Sequence, residues 1–311
     1  MSDDHWRPLT PEEIRTYYEE TFPTQIGKLP DWIGPNTPKQ YGFALNERYG
    51  RENNLPPTDF IRRDTRKQNR VVIDDWQTFF DWIQDPVENE ILHEDASGGG
   101  LSREATEKNE NLSTEPLVTE AAYYALDNHE TFWMLAFDID AKDIAKERVQ
   151  AEEQARNEDT PFETEKEVVR ANGVYKQPPT AKTVKTANGE RKHEYAYSFN
   201  DLREALNQGF ELKTWLADTV GFDETYVFYS GQGCHIYARD NDPYYKWTQQ
   251  SRAFLSEYIE KELEIPIDTP VTIEDNRLLR LPYSIHSEVN RVVTEIDDPD
   301  YDFRSKAFFT N

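Results

Sequence analysis

Thr131-Phe132-Trp133-Met134-Leu135-Ala136-Phe137-Asp138-Ile139-Asp140-Ala141-Lys142-Asp143 is the stretch from which the fold can be read. Residues 131–137 are almost all apolar or aromatic, a run too short to cross a membrane and too evenly apolar for an exposed strand. Entered from Asp127-Asn128-His129, it predicts a central strand buried on both faces. The strand then ends in two acids. Residues i and i+2 of a strand point to the same side, so Asp138 and Asp140 project together at its mouth. Like charges held that close are relieved by a proton or a cation between them. Hard divalent cations such as Mg2+ take such carboxylate oxygens together with substrate phosphates. The plainer alternative is a strand end with two solvated acids, and the rest of the chain has to decide between them.

Sixty acidic residues face 35 Lys and Arg in 311, a formal charge of -25 that is spread along the whole chain. Net charge governs solubility and association rather than fold, and a dispersed acidic surface fits a protein of a halophilic cytoplasm. At molar salt the Debye length falls to about 3 Å, so this acidity does not exclude a polyanionic partner. The single cysteine, Cys234, rules out an internal disulfide or a Cys-rich zinc site. No apolar run reaches the length of a membrane helix, and Met1-Ser2-Asp3-Asp4-His5 is not a signal-peptide pattern. The expectation is a soluble, cytoplasmic protein with no membrane partner.

Upstream of the acids, Thr10-Pro11-Glu12-Glu13 announces a capped helix. Residues 41–45 read as a strand, and residues 75–83 as a helix with Trp76, Phe79, Phe80 and Ile83 on its core face. Between them lies the one dense basic cluster: Arg62, Arg63, Arg66, Lys67 and Arg70. It is either an exposed turn balancing nearby acids or a phosphate-contacting surface, since Arg offers paired donors to phosphate oxygens. Residues 88–115, with Ser97-Gly98-Gly99-Gly100, read as a flexible loop, and residues 116–126 as a short helix. Downstream, residues 144–156 form an exposed helix and residues 177–192 a loop or hairpin within a charged insertion covering 144–200. An amphipathic helix over 201–220 stops at Gly221.

Two further stretches carry chemistry. In Tyr226-Val227-Phe228-Tyr229-Ser230-Gly231-Gln232-Gly233-Cys234-His235-Ile236, β-rich runs flank a Ser-Gly-Gln-Gly turn, the mark of a hairpin. Its glycines permit close approach of a ligand to the backbone. Ser230 and His235 beside exposed N–H groups suit a phosphate. A Ser/His nucleophile pair is the rival, but the nucleophile-elbow pattern is missing. After an amphipathic helix at 248–263 comes Asp268, an isolated acid among apolar residues. It is followed by Arg280-Leu281-Pro282-Tyr283-Ser284-Ile285-His286, in which a cation and an imidazole flank a proline-set turn.

Phe-Asp-Ile-Asp, Ser-Gly-Gln-Gly-Cys-His-Ile and Asp268 followed by Arg-Leu-Pro-Tyr-Ser-Ile-His, in that order, resemble the three motifs of the archaeo-eukaryotic primase superfamily. The likeness is to the small, catalytic subunit of archaeal and eukaryotic DNA primase, and it extends over roughly residues 35–295. Tyr41-Gly42-Phe43 and Phe60-Ile61-Arg62 resemble that family's early strand pair and its basic position. The resemblance implies a mixed α/β (α+β) primase-polymerase catalytic fold, with a central sheet flanked by helices and residues 1–311 as one catalytic domain. It implies that Asp138, Asp140 and Asp268 ligate Mg2+ or Mn2+ and are the catalytic residues. Ser230, Gly231, Gly233, His235, Arg280, His286 and Arg62 would bind the nucleotide. It further implies template-directed primer synthesis on single-stranded DNA from nucleoside triphosphates, with a primase large subunit as a possible partner.

Two departures stand out. The family usually carries a zinc module between the first and second motifs, and this stretch has no cysteine; the family's second motif usually has an extra Arg before its second glycine, whereas here Gln232 stands in a shorter turn. The resemblance therefore implies a divergent archaeal member without zinc. A non-catalytic nucleic-acid-binding replication protein is the alternative that accounts for the departures. A D-x-D glycosyltransferase accounts for Asp138 and Asp140 only. With no zinc ligands between the motifs, ordinary packing has to hold residues 144–200. A chelator added without nucleotide is expected to leave that region's protease resistance unchanged, and unfolding by chelator would reinstate a structural metal.

Overall fold

The antiparallel pairing of Asp138 with His235 and of Asp140 with Gly233 sets the register of the strands that carry the candidate residues. The computed structural model describes residues 10–34, 39–45, 72–73, 75–84, 118–125, 134–156, 166–170, 173–177, 181–185, 191–195, 197–239, 247–274, 277–286, 289 and 291–303. The basic cluster with Arg62 and the expected loop at 88–115 lie outside the described residues. The chain divides into two compact units, one formed by Leu135–Glu274 with Glu288–Asn311 and the other by Leu9–Met134 with Asp275–Ser287. The architecture is mixed, with an antiparallel sheet in each unit. Among the described residues, no helix is long and apolar enough to cross a membrane.

The unit containing the N-terminal helices is built around aromatic rings. Helix α1 (Pro11–Thr16) opens with the expected capping box: Thr10 Oγ1 accepts from the Glu13 N–H, and Glu13 accepts from the Thr10 N–H at 2.8 Å. A π-helical turn at Tyr17–Thr21 and helix α2 (Phe22–Ile26) continue it. Strands β1 (Lys39–Leu45), β2 (Val72–Ile73), β3 (Val118–Ala125) and β11 (Leu279–Arg280) form a sheet in the order β11-β3-β1-β2. Helix α3 (Trp76–Gln84) sends Phe79 into its core, 5.0 Å from the Tyr41 ring and 6.0 Å from those of Phe22, Phe43 and Trp76. Such offset and tilted pairs add to the burial of large apolar area.

One expectation is corrected here. Residues 118–125 form a strand rather than part of a helix, pairing with β1 from Lys39↔Ala125 to Leu45↔Val118. The β-branched and aromatic residues Val118, Thr119, Tyr123 and Tyr124 favour the pleated conformation once a partner strand exists.

The other unit is a four-stranded antiparallel sheet in the order β14-β9-β10-β4, made of β4 (Leu135–Asp140), β9 (Glu224–Tyr229), β10 (Gly233–Arg239) and β14 (Thr294–Glu295). Helix α5 (Phe199–Trp215) packs on it, following helix α4 (Ala141–Arg156). The hairpins β5 (Lys166–Arg170) with β6 (Gly173–Gln177) and β7 (Ala181–Lys185) with β8 (Arg191–Tyr195) lie in the charged segment. Helix α5 starts from Ser198, whose hydroxyl accepts from the Asp201 N–H, and a π-helical turn at Leu216–Val220 carries it to Gly221. Asp201 also holds Arg148 of α4 at 2.7 Å, joining the two helices.

Residues paired across an antiparallel ladder share a face. Leu135, Phe137 and Ile139 therefore line up with Ala238, Ile236 and Cys234, all fully buried. This is the face that α5 covers, with the Cys234 thiol donating to the Ala205 carbonyl at 3.2 Å. The lone cysteine is a core residue, its thiol pushed well up by burial and then by Asp138 and Asp140. The opposite face carries Ala136, Asp138 and Asp140 beside Tyr237, His235 and Gly233.

The expected evenly buried central strand is thus an alternating strand, and among the described residues it is the edge of its sheet. Its open edge is covered by helix α7 (Thr269–Ile273). The Asp268 N–H donates to the Asp138 carbonyl at 2.8 Å, and Thr272 Oγ1 donates to the Ala136 carbonyl at 2.9 Å. Helix α6 (Gln249–Glu262), expected on the sheet, packs chiefly against α7.

Gly233 begins β10 because nothing larger fits. A Cβ built there would lie 1.9 Å from the Ile139 carbonyl oxygen and 2.9 Å from its carbon. Backbone cannot yield as a flexible side chain does, so Gly233→Ala is expected to destabilise the protein by about 3 kcal/mol. Urea unfolding in high salt measures it, and a midpoint unchanged from the parent would mean that the ladder can open there without loss.

Candidate functional site

Asp138 and Asp140 stand at the end of β4 with only 16% and 13% of their side chains exposed, on one face as the two-residue period requires. Opposite Asp138, His235 is 1% exposed, and its Nε2 stands 3.6 Å from Asp138 Oδ1. That is ion-pair range but beyond a hydrogen bond. Asp268 reaches the same place from far along the chain, since its N–H is bonded to the Asp138 carbonyl. Three carboxylates from two elements are therefore tied to one strand end through backbone contacts.

The Ser-Gly-Gln-Gly turn adjoins them. Gly231 has φ 100°, which only glycine adopts without strain. The Ser230 N–H donates to the Gly233 carbonyl at 3.0 Å, and the Ala141 N–H donates to the Gln232 carbonyl at 2.9 Å. The second bond ties the turn to the residue directly after Asp140. The Tyr229 hydroxyl donates to the Gly231 carbonyl at 3.1 Å. Ser230 is 1% exposed. Ser230, Gly231, Gly233 and His235 thus belong with Asp138, Asp140 and Asp268 to one unit.

Arg280 and His286 belong to the other unit. Arg280, in β11, pairs with Ala122, and His286 is buried in strand β12 (Ile285–His286). The intervening turn has Tyr283 at φ 63° and a Ser284 N–H to Leu281 carbonyl bond of 2.9 Å. Its main chain is held by the N-terminal helices: Tyr17 donates to the Tyr283 carbonyl at 2.7 Å, and the Ile285 N–H donates to the Tyr18 hydroxyl at 3.2 Å.

Lys142, within the opening stretch but given no role from sequence, completes the acid cluster. Its ammonium is hydrogen-bonded to Asp140 and feels Asp138 and Asp143 as well. Burial works against its charge, but the surrounding carboxylates prevail and hold its pKa above the usual lysine value. Burial raises the Asp143 carboxyl; Lys142 and Lys146 oppose the rise, while Asp140 and Asp268 add to it. A cleft of about 770 Å³ begins beside these groups, lined by Lys142, Asp143, Lys146, Asp268 and Thr269 among others.

The donor set is one of hard oxygens, and the Lys142 ammonium shows that it attracts a cation. Among the described residues, no three His, Cys, Asp or Glu side chains converge closely enough to hold a metal ion. Lys142 has a sequence signal, a cation two residues beyond the second acid. Arg291, fully buried behind the hairpin, has only its place in an apolar run.

Removing the Lys142 charge while keeping its length leaves Asp138, Asp140 and Asp143 without their nearest cation. Lys142→Met is expected to lower Tm in divalent-free, low-salt buffer, and the deficit should shrink in molar salt as screening takes over. A deficit independent of salt would assign Lys142 a packing role instead.

No family model matches the chain, and no curated protein matches it. Among solved structures it is similar to the polymerase domain from Mycobacterium tuberculosis ligase D in complex with DNA. The TM-score is 0.26 and the identity 16%, over 46% of this chain and 67% of that one. A TM-score of that size carries no argument about function.

Proposed function

We propose that the protein is a primase-polymerase, carrying out template-directed nucleotidyl transfer that makes primers on single-stranded DNA. The observation that carries this reading is the assembly, on one sheet face, of Asp138 and Asp140 with His235 and the glycine turn, with Asp268 bonded alongside. It joins an acid cluster that draws a cation to a turn suited to phosphates. Asp138, Asp140 and Asp268 would hold Mg2+ or Mn2+, which when bound clamps the attacking and leaving oxygens of the displacement. Lys142, on one oxygen of Asp140, would compete there with such a cation.

The chain's own groups do the rest. The Ser230 hydroxyl and the N–H groups around Gly231 and Gly233 orient the triphosphate, and His235, across the ladder from Asp138, donates to it. Fixed donors of this kind stabilise charge without reorganising at the moment of reaction. The sequence resemblance adds phosphate contacts from Arg62, Arg280 and His286. Nucleoside triphosphates and single-stranded DNA are the ligands, and a large subunit is a further candidate partner.

A second reading is favoured by one observation, the lack of a converged three-ligand set among the described residues. It makes the protein a non-catalytic, nucleic-acid-binding member of a replication assembly. Primer synthesis and primer extension on single-stranded template, in high salt with Mg2+ or Mn2+, separate the two. The parent is expected to extend primers. Asp140→Asn is expected to abolish transfer while keeping the fold and DNA binding, with an unchanged or higher Tm in metal-free buffer as like-charge repulsion is relieved. Extension by Asp140→Asn at the parental rate would overturn the two-metal mechanism. A parent that binds DNA but transfers nothing would establish the second reading.

A further inference from the structure

Behind the glycine turn lies a buried cation with no place in the reading so far. Arg291, in strand β13 (Arg291–Val292), is 1% exposed; its guanidinium donates to the Val289 carbonyl and lies near enough to Tyr229 for its charge to act on the phenol. Tyr229 is itself fully buried, its ring stacked on Phe303, and its hydroxyl donates onward to the Gly231 carbonyl. The phenol and the turn carbonyl are therefore joined by a buried hydrogen bond beside a buried cation, a chain of interactions that a low-dielectric interior strengthens.

The chain matters because of what it does to the turn. All three carbonyls of residues 231–233 are held against the protein: Gly231 by Tyr229, Gln232 by the Ala141 N–H and Gly233 by the Ser230 N–H. Three carbonyl oxygens so engaged are less free to swing towards an approaching phosphate. The Tyr229 tie is the one of the three that needs a side chain. Burial draws the Arg291 pKa down to about 10, with Tyr229 and its neighbours opposing the fall, so the guanidinium remains charged at neutral pH.

We propose that the Tyr229 hydroxyl, backed by the buried Arg291 charge, is the positioning group that fixes the turn at residues 230–233 for the triphosphate of the incoming nucleotide. The ligand named rests on the primase-polymerase reading; the tie itself does not. Tyr229→Phe keeps the stacked ring and removes only the hydroxyl. Loss of one hydrogen bond of this kind is expected to weaken inorganic triphosphate binding about fivefold. KM for the nucleotide rises by the same factor while kcat stays within about twofold, because the metal-binding acids are untouched. Amide exchange at Gly231 and Gly233 is expected to quicken in the same variant. Arg291→Met should act in the same direction and more strongly; if it does not fold, Tyr229→Phe alone carries the test. Unchanged turn exchange and unchanged triphosphate affinity in folded Tyr229→Phe would overturn the proposal, leaving the enzyme reading intact. Faster exchange in the variant of a parent that binds no triphosphate would keep the tie but overturn the ligand, and the enzyme reading with it.

Discussion

The antiparallel ladder between β4 and β10 is the constraint on which the site depends. Its register puts His235 across from Asp138 and Gly233 across from Asp140. A slip of one residue would turn both acids towards the α5 face, where Leu135, Phe137 and Ile139 now pack. Fully buried apolar residues on that face therefore specify the register, and the polar face inherits it. The absent side chain of Gly233 lets the ladder close tightly at the end where the acids emerge.

Much of this arrangement was legible because it is local. The Phe-Asp-Ile-Asp strand end, the Ser-Gly-Gln-Gly hairpin and the Thr10 capping box each lie within a dozen residues, and their chemistry names them. What escaped depends on partners distant in sequence. Residues 118–125 carry alanines that suit a helix, and only the pairing with β1 makes them a strand. The strand at Leu135–Asp140 hid its alternation because Ala136 reads as apolar although it lies on the face of the two acids. Asp268 stood out as a lone acid, yet nothing nearby in sequence says that its N–H would bond to Asp138. Arg291 is harder still, since a buried arginine looks the same in sequence as an exposed one.

Electrostatically, the site and the surface obey different rules. Most of the -25 formal charge is spread where salt screens it, so it bears on solubility more than on the site. Around Asp140 the carboxylates are crowded, and Lys142 compensates at short range. Arg291 is a cation of a third kind, embedded in aromatic surroundings and donating to the Val289 carbonyl. Salt tunes the first, a competing cation the second and repacking the third.

Helix α7 has a double duty that joins solubility to function. By bonding the outward carbonyls of Asp138 and Ala136 it blunts a sheet edge that would otherwise offer itself to other strands. The same short segment begins with Asp268. Peeling it away would therefore scatter the acid cluster and bare an adhesive strand in a single event. Molecules opened in this way would be found clumped, and the native arrangement would return only with disaggregation.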